Sequence, residues 1–397
     1  MNIDDPAIAK KQKGFALFEL GFRPFFLFAG LSSLLLILVW LWVLGGHGEA
    51  LHYYPGRDWH AHEMLFGFVA AVAAGFLLTA VRNWTGIQTL RHAPLALLSL
   101  LWLLGRLAPL AAGWLPGWLI ALLDVAFLPA VALAIAAPIR AKAQANNYVF
   151  PLLLLLMALA NLLTHLQYLG LSGQTAAPGI ALMLYLVIVL IMIMGGRVIP
   201  FFSERGVMGL QPRSWPLVEK LAPGSVALAG LVAAFWPENI LLAPLALFAA
   251  GVHGLRLYGW YDRKIWAVPM VWVLQLGYLW LVIGLALLAL VPFGILAREF
   301  AVHALTTGGI GLITLGMMAR VALGHSGREI AASRSVFQAF VLLALAAPVR
   351  VFLPLLLPEF YLSSLMIAGG LWAAAFLLFV LVYAPILWRP RIDGRPG

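Results

Sequence analysis

Residues 147–169 read NYVFPLLLLLMALANLLTHLQYL, with no Asp, Glu, Lys or Arg among them. As a helix this stretch is about as long as the hydrocarbon core of a bilayer is thick, which takes about 20 residues. Leucines fall on every side of that helix, so its surroundings must be apolar all round. Comparable runs recur along the chain, separated by short polar or Gly/Pro-rich turns. Twelve spans can be drawn: 26–45, 62–81, 93–112, 117–139, 147–169, 178–199, 221–236, 239–258, 266–292, 299–323, 335–357 and 361–388. The chain therefore reads as an all-α membrane protein of about twelve transmembrane helices. It is a single polytopic domain over 1–397, with a short N-terminal segment 1–25 and a C-terminal tail 389–397. The longest polar connection, roughly 200–220, is a loop with Pro212 and Pro216, and no internal repeat stands out.

Of the 397 residues 63% are hydrophobic and 10% charged, against roughly a quarter charged in soluble domains. The formal charge of +10 invites a nucleic-acid reading, but the placement of the charges removes it. One alternate set of connections holds Lys10, Lys11, Lys13 and Arg23, then Arg82 and Arg91, Arg140 and Lys142, and further groups around Arg205, Arg263, Arg328 and Arg391. The opposite set holds only Arg57 and Arg298. Cytoplasmic loops retain Lys and Arg, so both termini are expected in the cytoplasm and the number of spans should be even. The first span follows a basic segment as in a signal peptide, but it is too long and lacks a small-residue cleavage site, so it is expected to stay as an anchor. Cysteine is absent, which excludes disulfides, thiolate metal sites, iron–sulfur clusters and covalently attached haem. A metal must then use His, carboxylate, Met or backbone oxygen.

Ionisable residues inside a membrane are costly unless paired or hydrated, and each marks a candidate functional position. Counting along the spans puts Arg106, Asp124, Arg350, His62, Glu63, His165 and His303 in the outer part of the bilayer, with His60 and Arg57 at the mouth and His253 near the inner side. The densest run is Trp59-His60-Ala61-His62-Glu63-Met64. On a regular helix His60 and His62 point about 200° apart. They share one metal only if His60 precedes the helix, and otherwise they serve two centres. Glu63 suits a ligand, a partner that fixes a histidine tautomer, or a proton carrier. The bland alternative is an interfacial cap of wetted histidines. His303 opens the tenth span beside Thr306, Thr307 and several glycines, where the alternative is tight helix packing. Asn161 and His165 share a helical face with Tyr168 beside them, which also suits a plain interhelical contact. Arg106 and Asp124 lie equally far from the turn near Leu115, so a buried ion pair is expected; Arg106 or Arg350 could instead hold an acidic ligand. His325, in Gly324-His325-Ser326-Gly327-Arg328, is expected on the inner side as part of a turn or an anion-binding loop. No nucleotide-binding loop or nucleophile triad appears.

Several motifs occur together and in order. They are Gly21-Phe22-Arg23-Pro24-Phe25-Phe26, Trp59 through Phe68, Gly75-Phe76-Leu77-Leu78-Thr79-Ala80 with Asn83-Trp84-Thr85-Gly86, Gly105-Arg106, Gly196 through Phe202, and His303 through Arg328. With these the chain resembles, over almost its whole length, the NnrS family of bacterial membrane proteins. That family is described as containing haem and copper and is linked to nitric oxide tolerance during denitrification or nitrosative stress. Arg82 departs from the pattern, where an uncharged residue is expected. The resemblance implies a multi-pass protein of the bacterial inner membrane with non-covalent b-type haem and copper, nitric oxide as ligand or substrate, and an unidentified electron donor. It does not assign the histidines.

The residues themselves supply the candidates. The metal set is His60, His62, His303 and His165, and cofactor contacts fall to His62, His303, Arg106 and Arg350, the arginines holding propionates. Glu63 is the expected proton relay or orienting group. Three functions stay open: an oxidoreductase that binds and reduces or detoxifies nitric oxide, a transporter of a metal complex or small anion, and a haem-dependent sensor or assembly protein without turnover.

Overall fold

The structure, a computed structural model, describes residues 14–47 and 53–395; Lys10, Lys11 and Lys13 lie outside them. Every element among the described residues is helical. Twelve rods stand where the apolar runs are: α1 Phe22–Leu44, α2 Gly56–Thr85, α3 His92–Ala111, α4 Gly117–Ala141, α5 Ala145–Tyr168, α6 Ala176–Gly206, α7 Pro216–Phe235, α8 Leu242–Trp260, α9 Pro269–Phe293, α10 Arg298–His325, α11 Arg334–Leu356 and α12 Pro358–Trp388. Eleven are long and apolar enough to cross a membrane. The remaining rod, α8, is of similar length and carries His253 and Arg256 on a buried face. Local chemistry sets the ends. Pro216 and Pro269 open α7 and α9, where a missing N–H costs nothing, the Ser333 hydroxyl accepts from the Val336 N–H at the start of α11, and left-handed Gly86 closes α2.

The rods close on themselves. α1 packs against α12, α12 against α11, and the sequence of neighbours runs back through α10, α9, α8, α7, α6, α5 and α4 to α2 and α1. Three rods stand apart by burial: α2, α10 and α6 have 89%, 72% and 61% of their apolar stretch buried, while α1 has 22%. α1 instead turns leucines such as Leu35 outward, the pattern of a surface solvated by lipid. A partly open cavity of about 70 Å³ lies among the three buried rods, lined by Val72 and Phe76 of α2, Leu190 and Met194 of α6, and Ile313 and Met317 of α10, with Phe26 of α1 and Leu274 of α9 at its sides.

Regular helix is interrupted at informative places. Pro129 lacks the N–H that would reach Val125 and crowds that carbonyl, so α4 breaks at Ala126, just after Asp124. In α2 and α10 a wider π-helical segment follows a histidine directly: Glu63–Val69 after His62, and Ala304–Ile310 after His303. Such a segment accommodates an extra residue and turns everything beyond it to a new face, and π turns are frequent at functional sites.

Candidate metal centre

α2, α4 and α5 bring together His62, Asp124 and His165, whose ligand atoms all lie within 4.8 Å of one another and whose side chains are buried. The Asp124 Oδ2 lies 3.1 Å from His62 Nε2 and 2.9 Å from His165 Nε2. Asn161 Oδ1 approaches His62 Nε2 to 3.0 Å, and the Tyr54 hydroxyl stands 3.2 Å from that atom and 3.4 Å from His165 Nε2. Burial pushes the Tyr54 hydroxyl well above its usual pKa, so it enters this group as a protonated donor.

The outward nitrogens of both rings are engaged. His62 Nδ1 meets Glu63 Oε1 at 3.2 Å and His165 Nδ1 meets the Tyr53 hydroxyl at 2.9 Å. With protons on the Nδ1 atoms, both Nε2 lone pairs point inward at Asp124 and Asn161 oxygens. In those tautomers the set is rich in acceptors and short of protons. This is the arrangement in which a carboxylate or hydroxyl behind an imidazole orients it toward a metal.

Charge gives the same answer. Arg106 donates from Nη1 to Glu63 Oε1 at 2.7 Å and from Nη2 to Asp124 Oδ1. The side chains of Glu63, Asp124 and Arg106 are 3%, 2% and 9% exposed, so water screens none of them. Two carboxylates against one guanidinium leave one negative charge, which a cation or a histidine proton must balance. Close backbone approach makes the arrangement possible. A Cβ at Gly67 would stand 3.2 Å from both Arg106 Cδ and Glu63 Oε2, and one at Gly105 would stand 3.1 Å from the Asp124 Cα.

The expected Arg106–Asp124 pair is therefore present, and Glu63 joins it. His62 and His165 meet, with Asn161 in the same group, while Tyr168 donates to Asp58 Oδ2 at the mouth. His60 and His303 do not join His62 and His165 in one cluster. His60 turns away from His62 and stacks on Trp40 of α1, ring centroids 4.6 Å apart and planes at 9°. His303 meets Arg350 instead, with Nε2 3.2 Å from Nη2. Away from this centre His253 is satisfied by Tyr278 (2.6 Å) and the Ala222 carbonyl (3.0 Å), and Arg256 by Glu219 and Tyr278, a closed structural network. His325 packs against Phe22 and Asn83. Sequence reasoning missed Tyr53 and Tyr54, which precede α2 and belong to no periodic pattern. It also took Asp124 only as an ion-pair partner.

No curated protein matches the chain in a sequence comparison. The NnrS protein family model matches residues 16–391, nearly the whole described chain and every residue of this centre. The chain belongs to the NnrS family.

Proposed function

We propose that the chain is a bacterial inner-membrane metalloprotein that holds copper at His62, Asp124 and His165 and binds nitric oxide, which it reduces or otherwise detoxifies with electrons from a donor outside this chain. The observation that carries the reading is the buried, lone-pair-rich group with one uncompensated negative charge. Imidazole suits copper, and with no cysteine in the chain a thiolate centre is excluded. Copper held there would supply a one-electron couple for chemistry on a diatomic ligand. Glu63 and Tyr53 fix the two rings, Arg106 pairs with Glu63 and with the Asp124 Oδ1 that does not face the histidines, and the Tyr54 hydroxyl places a proton beside the centre. Haem, the second group that the family resemblance implies, needs an imidazole outside this set and a cation for its propionates. His303 with Arg350 offers both, since Arg350 Nη1 is buried without a hydrogen-bond partner.

The test is metal analysis and electron paramagnetic resonance of the purified protein loaded with copper. About one tightly held copper per chain is expected, with nitrogen hyperfine structure that disappears in His62→Ala and His165→Ala, and nitric oxide should alter the wild-type signal. Full copper retention in the double variant sinks the site, and a copper signal indifferent to nitric oxide sinks the ligand.

A further inference from the structure

Arg320 stands near the end of α10 and is 7% exposed. Buried guanidiniums elsewhere in the bundle are provided for. Arg106 has Glu63 and Asp124, Arg256 has Glu219, and Arg23 has the carbonyls of Leu387 and Arg389. Arg320 has no such company. Its Nε is buried without a hydrogen-bond partner, and among the described residues no carboxylate or carbonyl meets its other nitrogens. The guanidinium lies instead on the face of Phe202 of α6, with its central carbon 3.8 Å from the ring centroid. Stacking covers one face of the fork and leaves the donors on its edge unused. A cation held in a membrane bundle without a counterion is costly, so an anion from outside the described residues is called for.

The surroundings narrow the kind of anion. The cavity among α2, α6 and α10 leads toward this charge: Met317 lines it from α10 and Val198 and Ile199 line it from α6, and Arg320 and Phe202 stand one turn further along those faces. Thr314 is the polar side chain in the lining, and its hydroxyl is spent on the Ile310 and Gly311 carbonyls. The cavity therefore offers nothing to a polar solute, and the guanidinium offers little to a neutral one. Together they suit an amphipathic anion. Depth points to its source. Arg320 is about 33 Å along α10 from Arg298 at 1.5 Å per residue, which is about the thickness of a hydrocarbon core and sets Arg320 level with lipid phosphates. The connections at this end also carry most of the Lys and Arg, which draws anionic lipid to it.

We infer that the bundle holds an anionic phospholipid at this end, with its phosphate on the Arg320 guanidinium, part of one acyl chain in the cavity and the second chain left in the bilayer. The Phe202 ring keeps the guanidinium flat, so that two N–H groups can face two phosphate oxygens, a geometry that lysine cannot copy. The site shares no residue with the His62–Asp124–His165 centre and does not depend on what that centre holds.

The experiment uses the full chain in nanodiscs of equal parts phosphatidylglycerol and phosphatidylcholine, with retained lipid counted by native mass spectrometry. Wild-type protein should keep about one phosphatidylglycerol per chain. Arg320→Gln should lower that retention by about fivefold to tenfold, and Arg320→Lys should recover only part of it. Arg140→Gln, which removes an exposed cation at the same end, should leave it unchanged. Ala73→Leu crowds the cavity and should also lower retention while Arg320 stays in place. A phosphatidylglycerol with a photoreactive acyl chain should label Met317 or Val198 in the wild-type protein, which needs no variant to fold. Equal retention of the two lipids overturns the inference, as does undiminished retention in folded Arg320→Gln. Labelling confined to outward leucines such as Leu35 overturns it too. Glycerol 3-phosphate that displaces the lipid as well as intact phosphatidylglycerol does would assign the site to a free phosphate and overturn the lipid.

Discussion

Replacing Arg106 with Gln removes the guanidinium that two buried carboxylates share. The surface value for an ion pair, at most about 1 kcal/mol, does not apply, because Glu63 and Asp124 are 3% and 2% exposed. Removing one partner of a buried pair costs about 3–5 kcal/mol, since the surviving charge stays out of water. Here two charges survive, but one carboxylate can take up a proton to escape repulsion from the other, which holds the total near the same range. The measurement is reversible unfolding of the detergent-solubilised protein in chelator, followed by tryptophan fluorescence. Chelator is needed because a cation at a hundredfold excess over its Kd adds about 2.7 kcal/mol and masks the loss. In a double-mutant cycle, Arg106→Gln with Asp124→Asn, and separately with Glu63→Gln, should each cost less than the sum of the single changes by about 1 kcal/mol or more. Costs that add within about 0.5 kcal/mol in both cycles would refute the shared-guanidinium account.

Glu63→Gln should loosen the orientation of His62 and weaken copper binding by about tenfold to a hundredfold while His165 stays in place; unchanged affinity in a copper competition assay would contradict this. Because the chain has no cysteine, Trp114→Cys and Met208→Cys, both 92% exposed, report topology directly. The α3–α4 turn should label from the outer face and the α6–α7 turn from the cytoplasmic face, and labelling of both from one face would break the alternation. Gly196→Ala would set a Cβ on Arg256 Nη2 and push the guanidinium off Glu219, at a cost of about 1–3 kcal/mol. Gly224→Ala, which faces open space, serves as the control in the same thermal assay.

The spans were legible because length and apolar content are properties of each stretch alone, and 147–169 or 361–388 need no neighbour to be read. Depth was legible for the same reason. Counting residues from a turn placed Arg106 level with Asp124, and the structure joins them. What lay beyond the sequence was direction around each helix axis. A π turn inserts a residue where a helical wheel assumes none, so positions on either side of Glu63–Val69 cannot be assigned to faces by a 3.6-residue period. The separation of His60 from His62 survived, because two residues within one short segment still diverge. The grouping of His303 with them did not, since it depends on which rods stand next to α10.

The uncompensated charge of the Glu63–Arg106–Asp124 group lies near one end of α2, inside the apolar thickness of the bundle. A cation that reaches it therefore crosses part of the membrane's electric field. Moving one elementary charge through the whole field is worth about 2.3 kcal/mol per 100 mV, so a divalent ion carried through about a quarter of it gains or loses about 1 kcal/mol. Occupancy at limiting metal should then respond several-fold to an imposed potential in proteoliposomes. The sign is diagnostic: an interior-negative potential fills a centre that opens to the outside and empties one that opens to the inside, which makes the metal itself a gauge of which way the mouth faces.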